Sequence, residues 1–427
     1  MFIVYNFVTL IITLIYLPVY LFKRKFHSGF LLRLGFLPKN LGLERPIWIH
    51  AVSVGETILI RGLLDELRSA YPGKKFVIST VTPTGNKIAK SIAQNDDFVT
   101  YLPLDFSFIV RYVLDKINPS LFILAETEIW PNLLSCLHKK NIPVAIINAR
   151  ISDRSFRGYS LVKFLLKPVL DKISMFCVQS KRDAKRLALL GVDENKIRVT
   201  GNMKFDALTL NRDYTDKRTN LRITPQEKIF VAASTHPGEE EIALRIYKRL
   251  SLKFNDFRLL IAPRRPERAA AIEKLVDKFG FFPVRISQLS RIPLAPGAVE
   301  GPPASRNPVF ILDTIGQLMD FYAISDIVFV GGSLVKTGGH NILEPAIFGK
   351  PVFFGPYMFN FRDIAELFLE NQAAVMVHNE EELYAKIDDA LNNRLDINSI
   401  SAKQKDLILR NQGATKNTLA CIRSLYA

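Results

Sequence analysis

The chain has 427 residues, 48% of them hydrophobic, which suits two or three cored domains and excludes a disordered chain. Its formal charge of +16 points to an anionic partner: a nucleic acid, an anionic membrane or a phosphorylated substrate. Cys136, Cys177 and Cys421 are widely spaced and odd in number, and the six histidines show no paired ligand spacing, so neither a disulfide framework nor a metal site is expected.

Taken in order, Phe2 to Phe22 carries no charge and is followed at once by Lys23, Arg24 and Lys25. That run is long enough to cross a bilayer. With no basic stretch before it and no cleavage site after it, residues 1–25 read as a retained membrane anchor whose basic flank stays cytoplasmic. Asn6 and Pro18 keep a re-entrant or interfacial helix open as the alternative. The apolar-basic stretch Phe26 to Pro38 suits either the headgroup layer or a buried helix.

From Pro46 onward short apolar runs alternate with charged helical segments, the pattern of a doubly wound α/β domain. Strands are expected at Ile47 to His50, Phe76 to Thr80, Leu121 to Ala125, Val144 to Asn148 and Met175 to Gln179. Helices are expected near Glu56 to Tyr71, Gly85 to Ala93, Ile129 to Lys140, Tyr159 to Leu170 and Lys181 to Leu190. This defines a Rossmann-like domain over 26–208. The polar run 209–228 reads as a linker, and a second Rossmann-like domain over 229–427 follows. Its strands are expected at Ile229 to Ala233, Leu259 to Ala262, Val309 to Leu312, Ile327 to Val330, Val352 to Phe354 and Ala374 to Val377, with Ser287 to Pro308 left as a loop.

Asp313 to Pro356 reads as a helix, a strand, a glycine-rich turn, a second helix opening near Asn341 and another strand. A phosphate could settle beside Gly338 to Asn341 at that helix start, with Glu344 accepting sugar hydroxyls; alternatively Asn341 and Glu344 only cap the helix. Other candidates lie at expected strand ends: His50 and Glu56, Glu126 and Glu128, Lys204 and Asp206, and Arg264, Arg265 and Arg268. Carboxylates on one wall and arginines on the other suit transfer from an anionic donor. Each has a structural alternative: Ser53 and Glu56 have capping-box spacing, the carboxylates and Lys204 could be surface charges, the arginines a solvated helix start, and His50 and His340 hydrogen-bonded structural histidines.

The ordered blocks HAVSVGE, TVTPTG, AETEIWPN, NARISDRS, VQSKRDAKRL, TGNMKFD, AASTHPGEE, APRRPER and GGHNILEPA resemble the 3-deoxy-D-manno-octulosonic acid (Kdo) transferases, lipid IV(A) Kdo transferases that act at the membrane. The resemblance implies a GT-B fold, α/β with two Rossmann-like domains facing a central cleft beside an N-terminal anchor. It implies inverting transfer of Kdo from CMP-Kdo to a lipid A precursor at the inner membrane, without a metal or cofactor; no nucleic acid is expected, because the chain lacks an aromatic-basic RNA motif and a recognition helix. It further implies Glu56 as catalytic base, Glu126 and Lys204 as the transition-state pair, and Pro263, Arg264, Ile315, Gly316, Gln317, Asn341, Ile342, Leu343 and Glu344 in the CMP-binding segments. Ile315-Gly316-Gln317 departs from the family's Met-Gly-Glu, so a contact needing a carboxylate at position 317 is not expected. Another nucleotide-sugar transferase or an epimerase of the same fold, and a noncatalytic lipid-binding protein, remain the rival readings.

Overall fold

In the computed structural model, Tyr5 and residues 29–208, 218–219, 221, 223–289 and 307–426 are described. Apart from Tyr5 the expected anchor Phe2 to Phe22, and most of the linker and of the proline-rich loop, lie outside them. Among the described residues no helix is long and apolar enough to cross a membrane.

Strands β1 (Ile47–His50), β2 (Phe76–Thr80), β3 (Phe98–Tyr101), β4 (Leu121–Ala125), β5 (Val144–Ala149), β6 (Met175–Val178) and β7 (Ile197–Val199) form a parallel sheet in the order β3-β2-β1-β4-β5-β6-β7. Strands β8 (Lys228–Thr235), β9 (Phe257–Pro263), β10 (Phe282–Arg285), β11 (Pro308–Ile311), β12 (Ile327–Val330), β13 (Val352–Phe354) and β14 (Val375–Met376) form a second, in the order β10-β11-β9-β8-β12-β13-β14. Helices cover both faces, which is why β1, β2, β4 and β5 are buried at every position. Alternation divides the first sheet's core: Trp48, Val77 and Phe122 pack on one face, and Ile47, Ile49, Ile78 and Ile123 on the other. The chain order reverses between β1 and β4 in one sheet and between β8 and β12 in the other. Such switch points are where open α/β sheets bind ligands, beyond the carboxyl ends of the strands.

The chain divides into Met1–Ala207 with Asn411–Ala427, and Leu208–Arg410. This departs from an unbroken second domain over 229–427. The last helix, Ala414–Tyr426, returns to the first unit, where Ala414, Leu419 and Ile422 join a core cluster. Its amphipathic sequence signals an apolar face but not which sheet that face covers. Strands β3, β7 and β10 are short and partly exposed, so their apolar signal is weak. The helix expected over Tyr159 to Leu170 is two helices, Asp153–Leu161 and Lys163–Leu170, broken at Val162. Among the described residues of Phe26 to Pro38, Phe30–Arg33 forms a helical turn; Leu32, Leu34 and Leu37 pack on the core while Leu31 and Phe36 are exposed.

Candidate active site

Glu56 sits in the first turn of helix Val54–Ala70, immediately after β1. Ser53 caps that helix: its Oγ accepts from the Glu56 N–H at 3.4 Å and donates to Glu56 Oε1 at 3.1 Å. In an ordinary capping box the glutamate accepts from the cap residue's own N–H. Here Oε2 reaches one residue further back, to the Val52 N–H at 2.5 Å. Gly85 lets the neighbouring helix start close against this loop; a Cβ there would meet Thr82 Oγ1 at 2.9 Å and the backbone of Val52 and Ser53 at 3.5 Å.

Glu126 follows β4, across the switch point from Glu56. Its φ of +57° is a left-handed conformation uncommon outside glycine, held by a hydrogen bond from the Glu126 N–H to the Ile147 carbonyl at 2.9 Å. Lys204 Nζ lies 3.2 Å from Glu126 Oε1. The turn carrying Lys204 is held by Asn148 at the end of β5, whose Oδ1 accepts from the Met203 N–H at 3.0 Å. Glu128 accepts from Trp130 Nε1 at 3.1 Å. Burial first, then the charges of Glu126 and Glu128, raise the Glu56 carboxyl to about 7, outweighing the Val52 and Ser53 hydrogen bonds that lower it. Burial also raises Glu128. The sequence identifies these carboxylates but not that their burial and mutual repulsion leave one of them poised near neutrality.

Two other candidates have structural places. The Asp206 carboxylate accepts from the Gly413 N–H at 2.7 Å and the Thr415 N–H at 2.6 Å, fastening the start of the last helix. His50 is fully buried, with Nδ1 2.9 Å from Ser79 Oγ and 3.0 Å from its carbonyl; burial lowers its pKa to about 3, so it is neutral.

In the second unit, Pro263 ends β9 and Arg264 follows it, exposed, its N–H bonded to the Thr235 carbonyl at 3.0 Å. Asn341 Nδ2 donates to Glu344 Oε1 at 3.1 Å, and Asn341 Oδ1 accepts from the Leu343 N–H at 3.1 Å. Burial raises the Glu344 carboxyl, against that hydrogen bond and the charge of Arg264. The helix expected at Asn341 is one turn, Leu343–Ala346, ended by Gly349 at φ +68°. A single turn aligns few peptide dipoles and offers a phosphate less than a longer helix would, so side chains and turn geometry define this segment. Gly338 and Gly339 are also explained by packing: a Cβ on either would strike Asn360 or Met358 at 2.2 Å. Ile315 is exposed, Gly316 turns at φ +90°, and Gln317 Oε1 accepts from Thr314 Oγ1 at 2.9 Å. Arg268 differs from the expected ligand-facing arginine, because its Nη1 is bound to the buried Glu240 at 2.5 Å.

Sequence reasoning missed Glu239 and His236. Glu239 is fully buried and accepts from the backbone N–H groups of His236, Gly332, Ser333 and Leu334 at 2.7 to 3.1 Å. Both stand in the AASTHPGEE block, but nothing local reveals that Glu239 anchors a turn so far along the chain. Among the described residues no group of three or more His, Cys, Asp or Glu is arranged to hold a metal ion.

The family model described as 3-deoxy-D-manno-octulosonic-acid transferase (kdotransferase) matches residues 28–207. The chain is 36% identical to the 3-deoxy-D-manno-octulosonic acid transferase of Haemophilus influenzae, over 88% of this chain and 86% of that protein. It is 32% identical to the enzyme of the same name from Rickettsia felis, over 86% and 76%. Among solved structures, UDP-GlcNAc 2-epimerase from Neisseria meningitidis superposes with a TM-score of 0.60 at 12% identity, covering 89% of this chain and 100% of that one. That likeness carries the fold alone: two parallel-sheet α/β units of the GT-B type.

Proposed function

The chain belongs to the 3-deoxy-D-manno-octulosonic acid transferase family, a family of glycosyltransferases, and from that premise we propose that it transfers Kdo from CMP-Kdo to a lipid A precursor with inversion. The observation that supports this most is Glu56, a carboxylate raised to about 7 in a partly dry site, the right basicity to accept a proton near neutral pH. Its proposed step is to take the proton of an acceptor hydroxyl as that oxygen bonds to the anomeric carbon of Kdo. The bond from that carbon to the CMP phosphate oxygen breaks on the opposite face, which inverts the centre.

Lys204 and Glu126 are the proposed transition-state pair, and Arg264 with the 341–344 and 315–317 segments the proposed CMP-binding groups. Arginine charge and backbone donors supply the neutralisation that a departing phosphate needs, so no metal is invoked. The +16 charge, the uncharged run Phe2 to Phe22 and the basic residues after it support action at the cytoplasmic side of the inner membrane in lipopolysaccharide synthesis.

The test is incubation of the purified protein with CMP-Kdo and a tetraacylated lipid A precursor in excess chelator, read by product mass. Addition of Kdo supports the proposal. No product with active donor and acceptor overturns it, and product only on restoring a divalent ion overturns the metal-free step.

A further inference from the structure

A pair of histidines occupies the switch point of the second sheet, and the transfer step leaves both unused. His236 follows β8, and His340 closes the glycine turn after β12. Their Nε2 atoms are 3.0 Å apart and their rings nearly parallel, at 9°. The approach is imposed from both sides. Glu239 binds the backbone of His236 and of Gly332 to Leu334 together. Gly332, at φ +66°, gives room to the ring, since a Cβ there would lie 3.0 Å from His340 Cδ2 and 3.1 Å from Nε2.

Two Nε2 atoms can hydrogen-bond only when one carries a proton and the other offers its lone pair. The neutral pair therefore presents one outward Nδ1–H and one outward Nδ1 lone pair. Neither Nδ1 has a hydrogen-bond partner among the described residues. A further proton would settle on the free Nδ1 lone pair, keeping the Nε2–H···Nε2 bond and making it charge-assisted. Both outward nitrogens would then donate, and the pair would carry one positive charge, a combination matched to a phosphate.

The surrounding charges set when this happens. Burial, then Arg264, then His236 lower His340 to about 4, so its ring resists a proton. The charge of Arg264 also acts on Glu344; Glu239 is engaged with backbone N–H groups, and Lys336 on the same turn lies over Tyr357. A phosphate on Arg264 would cancel the repulsion that excludes the proton.

We propose that the His236–His340 pair belongs to the phosphate-binding apparatus of the donor site and takes up one proton as the phosphate of a cytidine nucleotide binds. This rests on the reading that the second unit binds CMP. The experiment is calorimetry of the full-length protein with CMP at pH 7, in two buffers of different ionisation enthalpy, for the wild type, His236→Gln and His340→Gln. CMP's own phosphate, with a second pKa of about 6, can only release protons on meeting a cationic site, the opposite sign. Net uptake by the wild type, lost in both histidine variants together with roughly tenfold or more of affinity, is the expected result. Uptake that survives in both histidine variants, or binding by the wild type without uptake, overturns this inference and leaves the donor reading standing. Absence of CMP binding by the wild type overturns the donor reading and this inference with it. Should the glutamine variants not fold, the wild-type pH series decides: affinity must fall from pH 6 to 8.5, and a flat or rising profile overturns the proposal.

Discussion

Lys204 Nζ stands 3.2 Å from Glu126 Oε1, joining a lysine on a turn held by Asn148 to a glutamate held in a left-handed backbone conformation. Both side chains are about a quarter to a third exposed, at 24% and 30%. A pair so accessible to water contributes at most about 1 kcal/mol to stability. Fixing it with an unfavourable φ makes sense if the geometry serves something other than folding. Lys204→Ala is therefore expected to change unfolding free energy by less than about 1 kcal/mol while transfer falls on the order of 10²-fold. Parallel denaturation and turnover measurements check it, and loss of both together would make the pair structural.

Glu126 and Ser53 act on Glu56 in opposite directions. The Glu126 charge raises the Glu56 carboxyl, whereas the Ser53 hydroxyl lowers it. In Glu126→Gln the acidic limb of the transfer rate should move to lower pH, beneath whatever overall loss follows from removing the charge. In Ser53→Ala it should move to higher pH, with about 1 kcal/mol of stability lost along with the cap. pH–rate profiles of the two variants check this, and shifts of the same sign would contradict the arrangement.

The central strands and their parallel pairing were legible because each is an apolar run buried on both faces, as in FVIST and LFILA. Ser53 and Glu56 were legible as a spacing, but the spacing could not show that Oε2 bypasses the cap N–H for Val52, nor that Glu126 lies near enough to repel. The spacing at Asn341 marks a helix start without its length, because asparagine and glutamate three apart look alike before one turn or four; Gly349 follows this one after a single turn. Last, β8 and β12 meet only in the fold, so His236 and His340, 104 residues apart, could not be paired from sequence.

Glu239 is a buried carboxylate compensated by four backbone N–H groups rather than by a cation. Removing it leaves buried donors without an acceptor, at about 1–3 kcal/mol for each that water cannot reach. Glu239→Ala should therefore lower stability by at least about 2 kcal/mol and weaken CMP binding, because the turn before His340 loses its anchor. Glu239→Gln, with one acceptor oxygen left, should fall between. Chemical denaturation and CMP titration check the order, and an unchanged CMP affinity in a destabilised Glu239→Ala would separate the turn from the donor site.

Glu56 couples stability to activity through one proton. Its folded value of about 7 exceeds its ordinary 4.5, so between those pH values the folded protein holds a proton that the unfolded chain has released. Stability contributed by this group is present below 4.5 and falls as pH rises through 7, a loss of up to about 3 kcal/mol. Glutamine keeps an oxygen for the Val52 N–H and never ionises. Glu56→Gln should thus be more stable than the wild type at pH 8 and no more stable at pH 4, while transfer drops roughly 10²-fold or more because no base remains. Thermal midpoints at the two pH values, with turnover at saturating donor and acceptor, decide it. A midpoint difference independent of pH would mean that Glu56 ionises at its ordinary value. Near wild-type turnover would move the search for the base to Glu126 and Glu128, whose carboxyls stand on the next loop of the same sheet.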